Sequence, residues 1–215
     1  MNIRNTTAKE RMLKRIRQAL LQKRDNPYAD FEDSPLYKDE EEPLDVTFAR
    51  ELTQVGGHFV YCDGEISLIE NLILLAETLE LKKIFAWESG IQQLLEQYGF
   101  PVYTTAHQFL DAEAGITSCE ALVARSGSVL ISNAEASGRR LSSYPPIHIV
   151  VAKTSQLVMD IKHGLRRIQE KYADQQPSMI TLVTGPSRSN AIENTTVVGS
   201  HGTKALYVFL LEDRF

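Results

Sequence analysis

Two short polar segments near the end of the chain carry the side chains best suited to chemistry. The segment 185–189, GPSRS, directly follows an apolar run, and the segment 199–203, GSHGT, directly precedes another. Backbone N–H groups, the hydroxyls of Ser187 and Ser189 and the guanidinium of Arg188 could together bind a carboxylate or a phosphate, because a guanidinium pairs with two anion oxygens at once. The alternative is a proline-rigidified turn with a surface arginine, and these residues alone do not decide between the two.

The second segment adds a histidine between two glycines. Gly202 and its neighbours allow close approach of a ligand or of another loop, and His201 could donate, accept or transfer a proton near neutral pH. A histidine in a turn is more commonly a hydrogen-bonded structural residue. The spacing fits neither a Walker loop nor a GxGxxG fingerprint, so no class of nucleotide is indicated.

A third group of polar residues lies in the middle of the chain. Thr117 and the segment 126–128, SGS, place hydroxyls beside flexible backbone at Gly127, and Arg139 and Arg140 add positive charge. Hydroxyls at turns most often bond to their own backbone. No GxSxG elbow surrounds Ser126, so a serine nucleophile is not indicated. These loops are more typical of anion binding than of hydrolysis.

The cysteines and histidines argue against a metal centre in this chain. Its two cysteines, Cys62 and Cys119, are far apart and form no CxxC motif, so we expect two buried free thiols. No disulfide framework, structural zinc site or iron–sulfur cluster is expected. The remaining histidines have no metal-binding spacing; they are His58, His107, His148 and His163.

Alternating helical and strand patterns predict the elements that position these loops. Helices are predicted near 45–55, 65–80, 90–98 and 155–172, and strands at 58–62, 83–87, 101–105, 147–152, 179–184 and 205–211, with a tight strand pair over 121–132 hinged at Gly127. Strands separated by helices favour parallel pairing and right-handed crossovers. We therefore predict a three-layer α/β fold whose mostly parallel sheet has helices on both faces and ligands beyond the carboxyl ends of its strands.

The N-terminal region is organised differently from the rest. Residues 1–24 carry eight basic side chains and one acidic one, and residues 25–45 carry nine acidic side chains and one basic one. Thr7 and Glu10 form a capping box that predicts an amphipathic helix over 7–23. We predict a basic helical arm over 1–24, an acidic linker over 25–44 and an α/β domain over 45–215. The arm's apolar stripe would pack on the domain, or on another subunit of a homo-oligomer; nucleic acid is disfavoured by the adjacent acidic block.

The composition is that of an ordinary soluble protein. The 215 residues carry a net charge of -5, and 43% of them are hydrophobic. No apolar stretch approaches the roughly 20 residues that span a bilayer, and the basic N-terminus lacks the apolar core of a secretory signal. We expect a cytoplasmic protein with no membrane span.

The order of the motifs resembles the lactate utilisation protein C family, whose members contain a LUD domain. The motifs are GIT at 115–117, A-x-SGS at 124–128, an arginine followed by LSSYPPIHIVV, TGPSRS-x-x-IE at 184–193 and V-x-G-x-HG at 197–202. The resemblance spans about 45–211. It implies a fold like that of ribose-phosphate isomerase, glucosamine-phosphate isomerase and the CoA-transferases, and a bacterial role in oxidising L-lactate to pyruvate beside two partners that carry iron–sulfur centres.

The resemblance also implies a set of site residues. This chain would be the subunit without a cluster, and it would bind an organic anion; catalytic residues are not identified, and no cofactor is assigned. The implied set is Gly185, Ser187, Arg188, Ser189, Glu193, Gly199, His201, Gly202, Thr117, Ser126, Gly127 and Ser128. The alternatives are a stand-alone enzyme acting on a sugar phosphate, a CoA thioester or a folate, and a purely interacting protein that uses its arm.

Three positions depart from the family pattern. The family's Ala-Glu-Thr-Gly-Thr appears here as Ala-Arg-Ser-Gly-Ser with Arg125, its GPSRTADIE appears as GPSRSNAIE with Ala191, and its HGP appears as HGT with Thr203. Two carboxylates are thereby lost. Since neither alanine nor arginine acts as a general base near neutral pH, either those acids are not catalytic or this member has altered activity.

Overall fold

The computed structural model describes residues 7–21, 42–137, 139–192, 195–198 and 202–213, with side chains for all of these except 189–192 and 195–198. The chain divides into two compact units, 1–41 and 42–215. The helices are α1 (Ala8–Leu21), α2 (Leu44–Gln54), α3 (Glu65–Thr78), α4 (Ser89–Gln97) and α5 (Ile161–Lys171). The strands are β1 (His58–Cys62), β2 (Ile84–Ala86), β3 (Ala114–Thr117), β4 (Ala121–Val123), β5 (Ser128–Ser132), β6 (Ile147–Lys153), β7 (Leu157–Val158), β8 (Ile180–Val183), β9 (Arg188–Ile192), β10 (Thr195–Val198) and β11 (Ala205–Leu211).

Helix α1 is the described element of the first unit. The predicted capping box is confirmed: Thr7 N donates to Glu10 Oε2 at 2.8 Å, and Glu10 N donates to Thr7 Oγ1 at 3.3 Å. The apolar side chains of the helix are exposed; these are Met12, Leu13, Ile16, Leu20 and Leu21. An amphipathic helix therefore begins where the sequence predicts it.

The second unit is built on a parallel sheet with the strand order β1-β11-β6-β3-β2. Every neighbouring pair in this sheet is parallel, which confirms the predicted α/β class. The central strands β6 and β11 pair over seven residues each, from Ile147 with Ala205 to Lys153 with Leu211. Their nearly continuous apolar sequences are typical of parallel strands that are buried on both faces.

The two faces of this sheet are covered by different elements. On one face, α3 and α4 pack against the strands through residues such as Leu68, Leu72 and Leu95. On the other face, α2 and the strands β4 and β5 form a second core around Phe48 and Leu52. The prediction of helices on both faces is thus incomplete, since a second sheet shares that layer with α2.

The second sheet has the order β7-β4-β5-β8. The predicted tight strand pair at 121–132 is confirmed as β4 and β5, which are antiparallel. Strand β8 was predicted, but it pairs antiparallel with β5 and not with the parallel sheet. Helix α5 covers this sheet closely, because a Cβ on Gly164 would lie 2.4 Å from Leu130 Cδ1.

Three local predictions differ from the structure. The segment 101–105 contributes one isolated bridge, between Tyr103 and Phe85, and no strand. The helix predicted at 155–172 begins at Ile161, because residues 154–158 form a 3-10 turn and β7. Arg188 and Ser189, predicted in a loop, lie in β9, which pairs antiparallel with β10. In the helices that the structure describes, no segment has the length and hydrophobicity to cross a bilayer.

Candidate functional site

The two polar segments near the end of the chain meet in the structure. Ser187 N donates to the carbonyl oxygen of Thr203 at 2.9 Å. Gly202 has φ +138°, and a Cβ there would lie 3.0 Å from Ser187 Cβ. The close approach of the two segments therefore depends on glycine at this position.

This meeting point lies at the amino edge of the parallel sheet. Thr203 comes two residues before β11 begins, and Ser142 and Ser143 precede β6. The segment 185–187 does follow the carboxyl end of β8, but β8 belongs to the other sheet. We call the two polar segments, 185–189 and 199–203, the motif segments. They meet at the amino edge of the parallel sheet, whereas ligands of parallel sheets are expected at the carboxyl edge.

A cavity of about 360 Å³, here called the motif cavity, opens between these segments. Arg139 is the charged residue among the described residues that line it, and no described acidic residue lines it. Its polar lining consists of Arg139, Ser142, Ser143, Thr181, Ser187 and Thr203, beside Gly185 and Gly202. A lining that combines an arginine with several residues carrying hydroxyl groups is suited to a small anion.

The two neighbouring arginines of the middle section have different contacts. Arg139 Nη2 donates to Ser178 Oγ at 2.8 Å, and this residue lines the motif cavity. The Arg140 guanidinium lies over the ring of Phe109, 4.7 Å from its centroid, and 5.8 Å from that of Trp87. Arg140 thus holds its loop against aromatic side chains, and Arg139 supplies the positive charge at the cavity.

Arg188 contacts the end of a helix. Its Nη2 donates to the carbonyl oxygen of Val55 at 2.7 Å, and Val55 is the C-cap of α2. A cation at a helix C-terminus is favoured by the helix dipole. A Cβ on Gly56 would lie 2.7 Å from the same guanidinium nitrogen, so the fit is tight. Arg188 is not among the residues that line the motif cavity, and its predicted role in anion binding stays a prediction.

The turn between β4 and β5, which contains Ser126, Gly127 and Ser128, contacts α2 and the residue that precedes the 185–187 segment. The hydroxyls of Ser126 and Ser128 lie 2.7 Å apart, and that of Ser128 lies 2.8 Å from Thr184 Oγ1, next to Gly185. Gly127 has φ +57°, and a Cβ on it would lie 2.2 Å from Leu52 N. These three residues therefore join the β4–β5 turn to α2 and to the start of the 185–187 segment.

Thr117 is buried inside the sheet. Its Oγ1 lies 2.9 Å from His148 Nε2, and both residues are fully buried. Burial lowers the pKa of His148 to about 3, so its imidazole is neutral at physiological pH. His148 Nδ1 has no hydrogen-bond partner within the described part of the chain. The sequence predicts that the Thr117 hydroxyl belongs to an anion-binding site. The structure places Thr117 in the core, with His148 as the partner of its hydroxyl.

Comparison with known protein families decides the classification. The model of the LUD domain matches residues 50–211. The chain belongs to the LUD domain family. This confirms the family that the motifs predict.

Relatives of this LUD domain chain are found among curated bacterial proteins. It is 39% identical over 106 residues to a lactate utilization protein C of Bacillus licheniformis, covering 48% of this chain and 44% of that protein. It is 35% identical over 151 residues to a lactate utilization protein C of Shouchella clausii, covering 62% of this chain and 66% of that protein. The chain spans about half the length of most of these relatives.

One solved structure shares the fold of this LUD domain. A crystal structure of a DUF162 family protein from Deinococcus radiodurans has a TM-score of 0.56 to this chain and covers 78% of it and 96% of the other chain. The two sequences are 19% identical. The likeness therefore shows a common fold.

The three departures from the LUD pattern have different surroundings. Arg125 Nε donates to Asp160 Oδ1 at 2.6 Å, and both side chains are largely buried. Asp160 is the N-cap of α5, so Arg125 anchors that helix. Thr203 is buried and lines the motif cavity. Ala191 lies in β9, where the structure describes only the backbone.

Some predicted site residues lie outside the described part of this LUD domain. Glu193, Gly199 and His201 are not described, and for Ser189 the side chain is not described. Gly185 is described and has φ +69°; a Cβ on it would lie 2.4 Å from the Val55 carbonyl oxygen. Three residues of the motif cavity have no predicted role; they are Ser142, Ser143 and Thr181, of which the first two belong to the LSSYPP motif.

No metal centre is formed by the residues that the structure describes, since they contain no group of three His, Cys, Asp or Glu side chains that could hold an ion. Both cysteines are buried free thiols, as predicted. Burial raises the pKa of the Cys62 thiol to about 11, and burial also raises the pKa of Cys119. Metal ligands and nucleophiles are thiolates, and burial disfavours the thiolate form of both residues.

Proposed function

We propose that this chain acts in lactate utilisation, as the subunit without an iron–sulfur cluster in a system that oxidises L-lactate to pyruvate. In this proposal it works with iron–sulfur partner proteins and binds a small organic carboxylate in the motif cavity. The names of its relatives, lactate utilization protein C, support lactate as the substrate class. The observation that carries the binding site is a guanidinium beside residues with hydroxyl groups, with no described acidic residue in the lining.

The chemistry of the motif cavity suits a hydroxy acid or a keto acid. A guanidinium has five N–H donors, of which the bond to Ser178 uses one of those on Arg139. The remaining donors can pair with both oxygens of a carboxylate. Serine and threonine hydroxyls both donate and accept, so they suit the hydroxyl of lactate and the keto oxygen of pyruvate. A volume of about 360 Å³ is ample for either molecule.

The cysteines support placing the electron carriers in partner proteins. The sequence holds two cysteines, and both are buried thiols whose pKa burial raises. Four-thiolate clusters require four accessible cysteine ligands. In this proposal the chain binds or positions the carboxylate in the cytoplasm, and the partners receive the electrons.

Isothermal titration calorimetry tests the ligand. L-Lactate and pyruvate are titrated into the purified full chain, alone and together with the iron–sulfur proteins that the proposal assigns as partners. We expect saturable binding that Arg139→Gln weakens at least about tenfold, because a charge-assisted hydrogen bond is lost. Arg166→Gln removes the same charge from an exposed position on α5 and should leave binding unchanged.

The two possible failures are distinct. Absence of binding in both settings would remove lactate and pyruvate as ligands. Binding that Arg139→Gln leaves unaltered would remove the motif cavity as their site. Co-purification of the chain with the iron–sulfur proteins tests the partners separately, and a chain that never co-purifies with them would contradict that part of the proposal.

A further inference from the structure

A second and larger cavity opens at the opposite edge of the parallel sheet. It measures about 1400 Å³, and we call it the carboxyl-edge cavity. Each of the five strands contributes a residue at or just beyond its carboxyl end: Asp63 after β1, Glu88 after β2, Ser118 after β3, Lys153 in β6 and Glu212 after β11. In open parallel sheets this crevice is where ligands bind. Of the predicted site residues that the structure describes, none lines it.

Glu88 is a buried carboxyl group in this cavity. The residue is 6% exposed, and its Oε2 accepts a hydrogen bond from Ser118 N at 3.0 Å. Glu88 immediately precedes α4, but its side chain makes no capping bond to that helix. The carboxyl group therefore joins the ends of β2 and β3 at the cavity wall.

The charge of the lining distinguishes this cavity from the motif cavity. Among the described residues that line it, seven are acidic and two, Lys153 and Arg167, are basic. Carboxylate ligands such as lactate would be repelled by this excess of negative charge. A ligand that carries positive charge would be attracted, since the cavity walls focus the field.

The surface next to Glu88 leaves room for a ligand. Gly64 and Gly90 both line the cavity at the first turns of α3 and α4, and a Cβ on either would meet no atom within 4 Å. Other glycines of this unit are packed tightly, for example Gly185 and Gly127. The N-terminal ends of both helices therefore leave open space at this edge of the sheet.

From these observations we propose that the carboxyl-edge cavity binds a small organic cation that carries a primary ammonium group, and that Glu88 accepts a hydrogen bond from that group. This site is independent of the proposed carboxylate site. Burial raises the pKa of Glu88, while its bond to Ser118 opposes that shift. A bound ammonium would stabilise the ionised carboxylate in its buried position.

Calorimetric titration of 1,4-diaminobutane into the full chain tests the proposal, with L-lactate as a probe of opposite charge. We expect saturable binding of the diamine that Glu88→Gln weakens at least about tenfold, because the amide keeps an acceptor for Ser118 N and removes the charge. Glu70→Gln removes a charge from an exposed lining position and should weaken binding far less. Equal effects of the two substitutions would indicate diffuse attraction and overturn the role of Glu88.

A second pair of variants keeps the proposal testable if Glu88→Gln does not fold. Gly90→Lys places a tethered ammonium in open space within the cavity and should weaken diamine binding at least about tenfold, whereas Gly90→Ala should leave it unchanged. Diamine binding that persists in Gly90→Lys, or its absence in the wild type, would refute the site. Lactate binding at the motif cavity should be the same in all these variants, so the two proposals fail separately.

Discussion

The two edges of the parallel sheet differ in charge and in packing. At the amino edge, the motif cavity has Arg139 and residues with hydroxyl groups, and its glycines are pressed against neighbouring atoms. At the carboxyl edge, the described lining of the larger cavity has seven acidic residues and two basic ones, and its glycines face open space. The comparison teaches that the predicted site residues Gly185, Ser187 and Gly202 mark a tightly built edge, while the lining of the larger cavity holds none of the predicted site residues that the structure describes.

The packing difference predicts the largest effect on stability. Gly185→Ala should reduce the free energy of unfolding by roughly 2–4 kcal/mol, because Gly185 has φ +69° and the new Cβ would lie 2.4 Å from the Val55 carbonyl oxygen. Gly64→Ala, at the carboxyl edge, should change it by about 0.5 kcal/mol or less. Urea denaturation of both variants measures the difference. Equal stability losses would mean that the two edges do not differ in packing.

Acid should weaken the sheet that both cavities share. His148 has its pKa lowered to about 3 in the folded protein and has an ordinary pKa of about 6.5 when unfolded, so the unfolded chain binds an extra proton between these values. Its contribution to stability is present above about pH 6.5 and is lost along a continuous slope as the pH falls from there towards 3.

Denaturation curves at several pH values measure this slope, with His148→Gln as the comparison. The glutamine variant should lose stability less steeply below pH 6 than the wild type. Parallel pH profiles for the two proteins would show that His148 is not the group responsible.

Among the substitutions expected to lower stability, Arg188→Ala has the smallest effect, and this variant also distinguishes the role of Arg188 from that of Arg139. Arg188→Ala should cost about 0.5–1 kcal/mol of stability, because it removes a cation and a hydrogen bond from the C-terminus of α2. It should weaken lactate binding less than Arg139→Gln does. Thermal melts and titration of the same samples measure both quantities, and the opposite ranking of the two variants in binding would move the anion site towards Arg188.

Much of the fold follows from local pattern. The strands at 58–62, 147–153 and 205–211 are apolar runs, and the helices between them have clear amphipathic spacing. The order of parallel neighbours and the second sheet do not follow in this way. Strands β4 and β5 are buried throughout, so their sequences do not distinguish a parallel sheet from an antiparallel pair.

The sequence predicts only part of the motif cavity: Gly185, Ser187 and Gly202 of its lining belong to the predicted site set, whereas Ser142, Ser143 and Thr181 do not. The two polar segments do meet, as the contact of Ser187 with Thr203 shows. The position of these segments at the amino edge depends on the pairing of β8 with β5. This pairing joins residues about 50 positions apart in the chain, such as Val129 and Val183, so no local sequence pattern indicates it. Arg188 contacts Val55, 133 residues earlier in the chain, so no local pattern reveals that bond. Glu88 belongs to none of the motifs, and its burial, which the sequence does not show, distinguishes it from the exposed acidic residues of the cavity.

Strand β6 runs from the motif cavity to the carboxyl-edge cavity. Ser142 and Ser143, shortly before its first residue, line one cavity, and Lys153, its last residue, lines the other. Seven residues of extended chain span roughly 23 Å. A metabolite of a few carbon atoms cannot touch both cavities at once, so each must fill and empty through its own opening. Strand β11 connects the same two cavities, since Thr203 shortly before it lines one and Leu211, its last residue, lines the other, so a displacement of either strand could carry an influence between the two occupants.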